Sequence, residues 1–219
     1  MRDFRDTTAL GVIGDVLRDT GSTSLLDIGC GRGALKSRVE AMGCAWFGVD
    51  PFGEADGVAR AGAEALPFPD ASFDAALFLN ALHHVPVPVM GAALAEALRV
   101  LSGPCSPVLI IEPDVSGDLS EVLKHIDDET DIRTAARAAI DDMVARGACR
   151  LQDGFQFLRH ETYQGFDDLC ARLAAADASR QPAIDAEKEA LKAAFDALSI
   201  PSGDKQQLRQ PMTVWILTA

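Results

Sequence analysis

The residues most able to do chemistry stand close together in Leu25-Leu26-Asp27-Ile28-Gly29-Cys30-Gly31-Arg32-Gly33, an apolar run that enters a turn with three alternating glycines. Glycine omits Cβ where backbone must bend tightly and approach a ligand closely, and a helix opening behind such a turn directs its free amides at that ligand. A turn of this construction holds a nucleotide-like molecule. Asp27 narrows the chemistry, because a carboxylate just before the first glycine repels a pyrophosphate and attracts a cation. A second acid, Asp50, closes Ala45-Trp46-Phe47-Gly48-Val49-Asp50, 19 residues after Gly31. A carboxylate in that place accepts from the two hydroxyls of a ribose.

Positioning these groups needs a frame of strands. Leu25 to Ile28 suits a central parallel strand, and Ala34 to Met42 reads as the helix behind the turn. The order strand, helix, strand, short strand, strand, helix, strand extends from Leu25 to Pro113, which argues for a parallel sheet with helices on both faces. Before it, Thr8 to Arg18 reads as a short amphipathic helix with Leu10, Ile13 and Leu17 on one face. After Pro113, Leu119 to Arg146 has helical periodicity in one long or two shorter helices. Phe155 to Tyr163 reads as a sixth strand, Phe166 to Ala176 and Pro182 to Leu198 as helices, and Met212 to Leu217 as a last, seventh strand.

Asp27-x-Gly29-x-Gly31-x-Gly33 resembles the first motif of class I S-adenosylmethionine-dependent methyltransferases. Further strings follow in that family's order: Asp50 after the second strand, Gly62-Ala63-Glu64-Ala65-Leu66-Pro67-Phe68-Pro69-Asp70-Ala71-Ser72-Phe73-Asp74, Asn80-Ala81-Leu82-His83-His84-Val85, and Val108-Leu109-Ile110-Ile111-Glu112-Pro113. Together they cover about half the chain and are most similar to the small-molecule branch that includes ubiquinone and menaquinone methyltransferases. The resemblance implies a Rossmann-like, seven-stranded, mostly parallel α/β sheet, with the last strand antiparallel between strands five and six. It implies one domain over 1–219: an N-terminal helix or partial lid over 1–22, a cofactor-binding half over 23–113, and a helical acceptor side with the last two strands over 114–219. It also implies S-adenosyl-L-methionine as cofactor and S-adenosyl-L-homocysteine as product. The implied cofactor contacts are Asp27, Gly29, Cys30, Gly31, Gly33, Asp50, Pro51, Ala63, Glu64, Leu66, Asn80 and His84, with Asp27 facing the methionine ammonium directly or through water. Where many relatives carry an adenine-binding Asp this chain has Gly62, so adenine recognition is expected to fall to backbone near Ala63 and to Glu64.

Composition limits the partners. Lys and Arg number 20 against 33 Asp and Glu, a formal charge of −13 that repels a polyanion, so nucleic acid is not the expected acceptor. No apolar run reaches the ~20 residues that span a bilayer, and the opening Met1-Arg2-Asp3-Phe4-Arg5-Asp6 lacks a signal-peptide core, so the chain reads as cytoplasmic. Cys30, Cys44, Cys105, Cys149 and Cys170 are odd in number and lack metal spacing; Cys30 alone, inside the turn, is a candidate for oxidation or alkylation. The acidic run Asp127-Asp128-Glu129-Thr130-Asp131 lacks the spaced ligands and glycine of a calcium loop, and no metal is assigned.

Methyl transfer from a sulfonium needs chiefly an acceptor atom held in line, and a general base where the acceptor carries a proton. His83 and His84 follow the fourth strand at the sheet edge where ligands bind, and His83 is the candidate base. Glu112, Asp114, His160 and Tyr163 are weaker acceptor-side candidates. The expected acceptor is a small organic molecule, its reacting atom and the oligomeric state being left open. Two other readings remain: a non-catalytic cofactor-binding module, and a nicotinamide oxidoreductase, since Gly29-x-Gly31-x-x-Ala34 also satisfies a relaxed dinucleotide pattern.

Overall fold

The computed structural model describes residues 4–219. In chain order the elements are α1 (Ala9–Thr20), β1 (Ser24–Ile28), α2 (Lys36–Ala41), β2 (Ala45–Val49), β3 (Val58–Ala59), β4 (Ala75–Leu79), α3 (Met90–Arg99), β5 (Val108–Pro113), α4 (Asp118–Leu123), α5 (Thr130–Ala145), β6 (Arg150–Tyr163), α6 (Phe166–Ala176), α7 (Gln181–Ala186), α8 (Lys188–Leu198), β7 (Ile200–Ser202) and β8 (Lys205–Thr218). The chain divides into two compact units. One holds the residues through Pro113 with Ile132–Phe157 and Thr213–Ala219, the other Asp114–Asp131 with Leu158–Met212.

In the first unit the strand order is β3-β2-β1-β4-β5-β8-β6, with the last strand between β5 and β6 as expected. β1 pairs in parallel with β2 and β4, Ile28 standing opposite Val49 and Phe78. The three strands therefore stop at one edge, and Gly29, Asp50 and Asn80 emerge there together. Buried continuous strands such as β5 can stand in the middle of a sheet because both faces are covered. One cover is α3, whose Met90, Ala93, Leu94 and Ala97 recur at helical spacing and pack with Leu26, Phe78 and Ile110. α1 starts with the Thr8 hydroxyl accepting from the Gly11 amide and buries Val12, Ile13, Val16 and Leu17, so Val12 and Val16 join the expected face and Leu10 does not.

In the second unit Leu119, Val122, Tyr163, Phe166, Leu169, Leu173, Ile184, Leu191, Phe195 and Leu208 form an apolar cluster. The expected single helix over 182–198 is broken at Glu187, between α7 and α8. Periodicity does not register the break because the apolar spacing continues through it. An eighth strand, β7, was also unforeseen; it pairs antiparallel with β8 across Gly203 and Asp204. β6 and β8 both start earlier than their apolar cores suggest, because a strand continues as long as its backbone is paired. In the acidic run, Asp127 is held by the Arg180 guanidinium at 2.6 Å.

At the opposite end of β1 a single carboxylate ties two strands together. Asp74 accepts from the Thr23 amide and hydroxyl, the Ser24 amide and the Ser102 hydroxyl, while its own amide donates to Ser24 Oγ. The Thr23 bonds foremost pull its pKa down to about 2. This stabilisation is complete above the ordinary carboxylate range and is lost as pH falls through about 2. Asp74→Ala should cost roughly 1.5–3 kcal/mol at pH 7, and chemical denaturation of the two proteins should show the gap closing toward pH 2.

Candidate functional site

A cavity of about 600 Å³ opens at the edge where β1, β2 and β4 end. Of the residues expected to contact a cofactor, Gly29, Asp50, Pro51, Ala63, Glu64, Asn80 and His84 line it, together with Phe52, Ala61, Gly62, Ala81, Val85 and Pro86. Asp27, Cys30, Gly31, Gly33, Leu66 and His83 stand outside this lining.

The glycines of the turn have different reasons to be glycine. A Cβ on Gly29 would stand 2.6 Å from Ala81 Cβ, so the chain itself excludes a side chain there. Gly31 has φ +55 and a Cβ on it would meet nothing within 4 Å. The space beside Gly31 is left open by the protein, as a ligand cradle requires. Three hydrogen bonds hold the turn to the end of β2: the Val49 carbonyl accepts from the Gly29 and Cys30 amides, and Asp50 Oδ2 accepts from the Gly31 amide at 2.9 Å. Asp50 Oδ1 accepts from the Phe52 amide. Both oxygens are thereby fixed, each with capacity for another donor.

Asp27 is 3% exposed and accepts from the Trp46 indole N–H at 3.0 Å. Burial pushes its pKa up to about 6; the Trp46 bond opposes this and the Asp50 charge adds to it. The expected ammonium partner is thus a carboxyl set into the floor of the turn. Cys30 is pushed up to about 12 by burial and by the Asp27 and Asp50 charges, which keeps it a thiol rather than the reactive thiolate.

At Gly62 the structure answers the missing acid. A Cβ built there would lie 2.5 Å from both carboxylate oxygens of Glu64, so the Glu64 head group occupies the place of a side chain at 62. The loop behind is anchored from α3. Leu66, buried, donates its amide to Glu96, and Arg99 donates to Glu96, Asp70 and the carbonyls of Leu66 and Phe68. Leu66 is an anchor of this wall rather than part of its surface.

The two histidines are separated in role. His83 is 4% exposed and its Nδ1 meets Glu112 Oε2, while Glu112 Oε1 accepts from the Ala81 and Leu82 amides. His84 is exposed in the cavity wall, its ring packed on that of His83 at 4.0 Å between centroids. The imidazole that lines the cavity is that of His84, while the candidate base His83 is buried against Glu112. Asn80 holds φ +51, unusual for a residue with a side chain, and its buried Oδ1 has no hydrogen-bond partner among the described residues. His160, which pairs with Gln207, and Tyr163 belong to the second unit. Sequence reasoning passed over Trp46, Phe52, Glu96 and Arg99; the available signals were the polar N–H of Trp46 within an apolar strand and the i,i+3 spacing of Glu96 and Arg99.

Residues 26–103 match the family profile described as a methyltransferase domain. The match runs from within β1 to just past α3, the stretch that carries the cavity wall. No curated protein matches the sequence. Among solved structures, this chain is similar to a candidate methyltransferase from Bacillus halodurans C-125, with 16% identity over 97% of this chain and 99% of the other and a TM-score of 0.60. It is likewise similar to the YcgJ protein from Bacillus subtilis, with 18% identity over 94% and 97% and a TM-score of 0.55. The [4+2]-cyclase SpnF shares the fold too, with 18% identity over 99% and 85% and a TM-score of 0.55. Likeness at these identities establishes the fold; the chemistry has to be argued from the site. No helix of the described residues is long and apolar enough to cross a membrane.

The raised pKa of Asp27 has a stability consequence. A carboxyl whose folded pKa exceeds its unfolded value contributes stability below the unfolded value and loses it as pH rises through about 6. Asp27→Asn should therefore stabilise the ligand-free protein by ~1–3 kcal/mol at pH 8. Denaturation at several pH values should show this advantage shrinking below pH 6 and gone near pH 4.

Proposed function

We propose that the protein transfers a methyl group from S-adenosyl-L-methionine to a small organic acceptor. The observation that carries this reading is the meeting, in one cavity, of the fixed Asp50 carboxylate, the Asn80 carbonyl oxygen that has no partner among the described residues, and Gly29 of the glycine turn. These residues fit the cofactor. Asp50 would take the ribose hydroxyls, Asn80 Oδ1 a donor of the amino-acid part, and Asp27 the ammonium through the floor of the turn. Glu64 would accept from the adenine amino group in place of the acid missing at 62.

When bound, the sulfonium supplies an already activated methyl group, so the chain has chiefly to bind, orient and exclude water. His84 is the exposed imidazole on the cavity wall and would take the proton of a hydroxyl, amine or acidic carbon at a ring nitrogen. Behind it, the His83–Glu112 pair fixes the turn Leu82–His84. The formal charge of −13 speaks against a polyanionic acceptor.

Calorimetric titration with S-adenosylhomocysteine, S-adenosylmethionine and NAD tests the class. The two sulfur ligands should bind and NAD should not; preferential NAD binding would overturn the reading, and Asp50→Ala should weaken S-adenosylhomocysteine by roughly 1–3 kcal/mol. An acceptor panel then separates enzyme from sensor, because a sensor binds without releasing S-adenosylhomocysteine. For Glu64, the expected result is a loss of base discrimination: wild type should prefer S-adenosylhomocysteine to its hypoxanthine analogue, whereas Glu64→Ala should bind both alike. Equal discrimination in both proteins would remove Glu64 from base recognition.

A further inference from the structure

Trp46 stands in the strand that ends at Asp50 and was given no part in the site from the sequence, yet it reaches the buried acid of the glycine turn. Its indole N–H donates to Asp27 Oδ2 at 3.0 Å, and both residues are buried. The ring also supports the turn from below. A Cβ on Gly33 would stand 3.1 Å from it, and a Cβ on Gly48 would stand 2.4 Å from it. One side chain of β2 thus packs the last glycine of the turn, excludes a side chain from its own strand neighbour and bonds the acid of β1.

We propose that Trp46 is a positioning residue for a cationic ligand group: its N–H holds Asp27 in one orientation and in the charged form that an ammonium requires. The proposal rests on the reading of the cavity as an S-adenosylmethionine site. Its logic is electrostatic. A carboxyl this deeply buried is driven toward its neutral form, and a hydrogen bond to the carboxylate opposes that drive. The other groups around Asp27 do not replace the indole. Asp50, at the end of β2, adds a like charge, and Cys30 in the turn is held as a neutral thiol. Leu77 is its partner on β4, and Lys36 of α2 stands 5.9 Å from the Trp46 ring centroid. With burial dominant and the Trp46 bond working against it, Asp27 titrates at about 6, where a single donor decides its charge near neutrality. A ring that only filled space would leave this balance unchanged when replaced by phenylalanine.

The experiment is calorimetric titration of the full chain with S-adenosylhomocysteine between pH 5 and 8, alongside Trp46→Phe and Asp27→Asn. Wild-type affinity should fall as pH drops through about 6. In Trp46→Phe the midpoint should move up by about one pH unit, as expected for one lost hydrogen bond to a charged group. Affinity should then be several-fold weaker near neutrality, with the two proteins converging at high pH. Asp27→Asn should bind weakly and lack this midpoint. A measurement without a variant at 46 stands beside these. The indole N–H resonance of Trp46, distinguished from Trp215 by Trp215→Phe, should titrate in the ligand-free protein with the midpoint seen in binding. An unchanged midpoint in folded Trp46→Phe, or an indole resonance indifferent to pH, overturns the proposal while leaving the cofactor reading intact. Failure of wild type to bind S-adenosylhomocysteine at pH 8 removes the cofactor reading and this proposal with it.

Discussion

The site depends on a small clasp between the end of β2 and the turn after β1. The Val49 carbonyl takes the amides of Gly29 and Cys30, and the next side chain, Asp50, takes that of Gly31. These contacts end β1 at Ile28, turn the chain away from the sheet, and fix the carboxylate that faces the cavity. Because parallel pairing sets Ile28 beside both Val49 and Phe78, the same register brings Asn80 to that edge. The cavity is a consequence of where three paired strands stop, which is the general reason ligands collect at the carboxyl edge of such sheets.

Two acids on these strands show how the sheet divides stability from function. Asp74, surrounded by hydroxyl and amide donors, is held well below its ordinary pKa and ties β1 to β4. Asp27, near the other end of β1, is pushed the opposite way by burial. One charge strengthens the ligand-free fold and the other weakens it. Local violations of stability of this kind are expected where a site needs a charge ready for its ligand.

Much of this was legible in the sequence, for identifiable reasons. The glycine turn, the strand-ending acids and the continuous apolar runs are local signals that pointed to a parallel sheet and to Asp50, while the place of the last strand and the roles of Glu64, Asn80 and His84 came from the family resemblance. Glu187 escaped notice because hydrophobic spacing is indifferent to a backbone break, and β7 because a three-residue strand has too few residues to show a pattern. The division between His83 and His84 depends on which way two adjacent side chains leave one turn. Sequence spacing holds no such information, and only the engagement of His83 with Glu112, 29 residues away, decides it. Trp46 was read as part of an apolar strand; its polar atom became relevant only when pairing set that strand beside Asp27.

The Arg99 guanidinium leaves the loop behind Glu64 little freedom. It joins two carbonyls and two carboxylates drawn from Leu66, Phe68, Asp70 and Glu96, on the same loop and the helix beneath it. Moving that loop would separate several of these bonds at once. Its conformational entropy is therefore surrendered when the chain folds, not when a ligand arrives, and preorganised surfaces bind with a smaller ordering penalty. A ligand entering the cavity would meet a wall whose shape is already set, rather than a loop that closes around it.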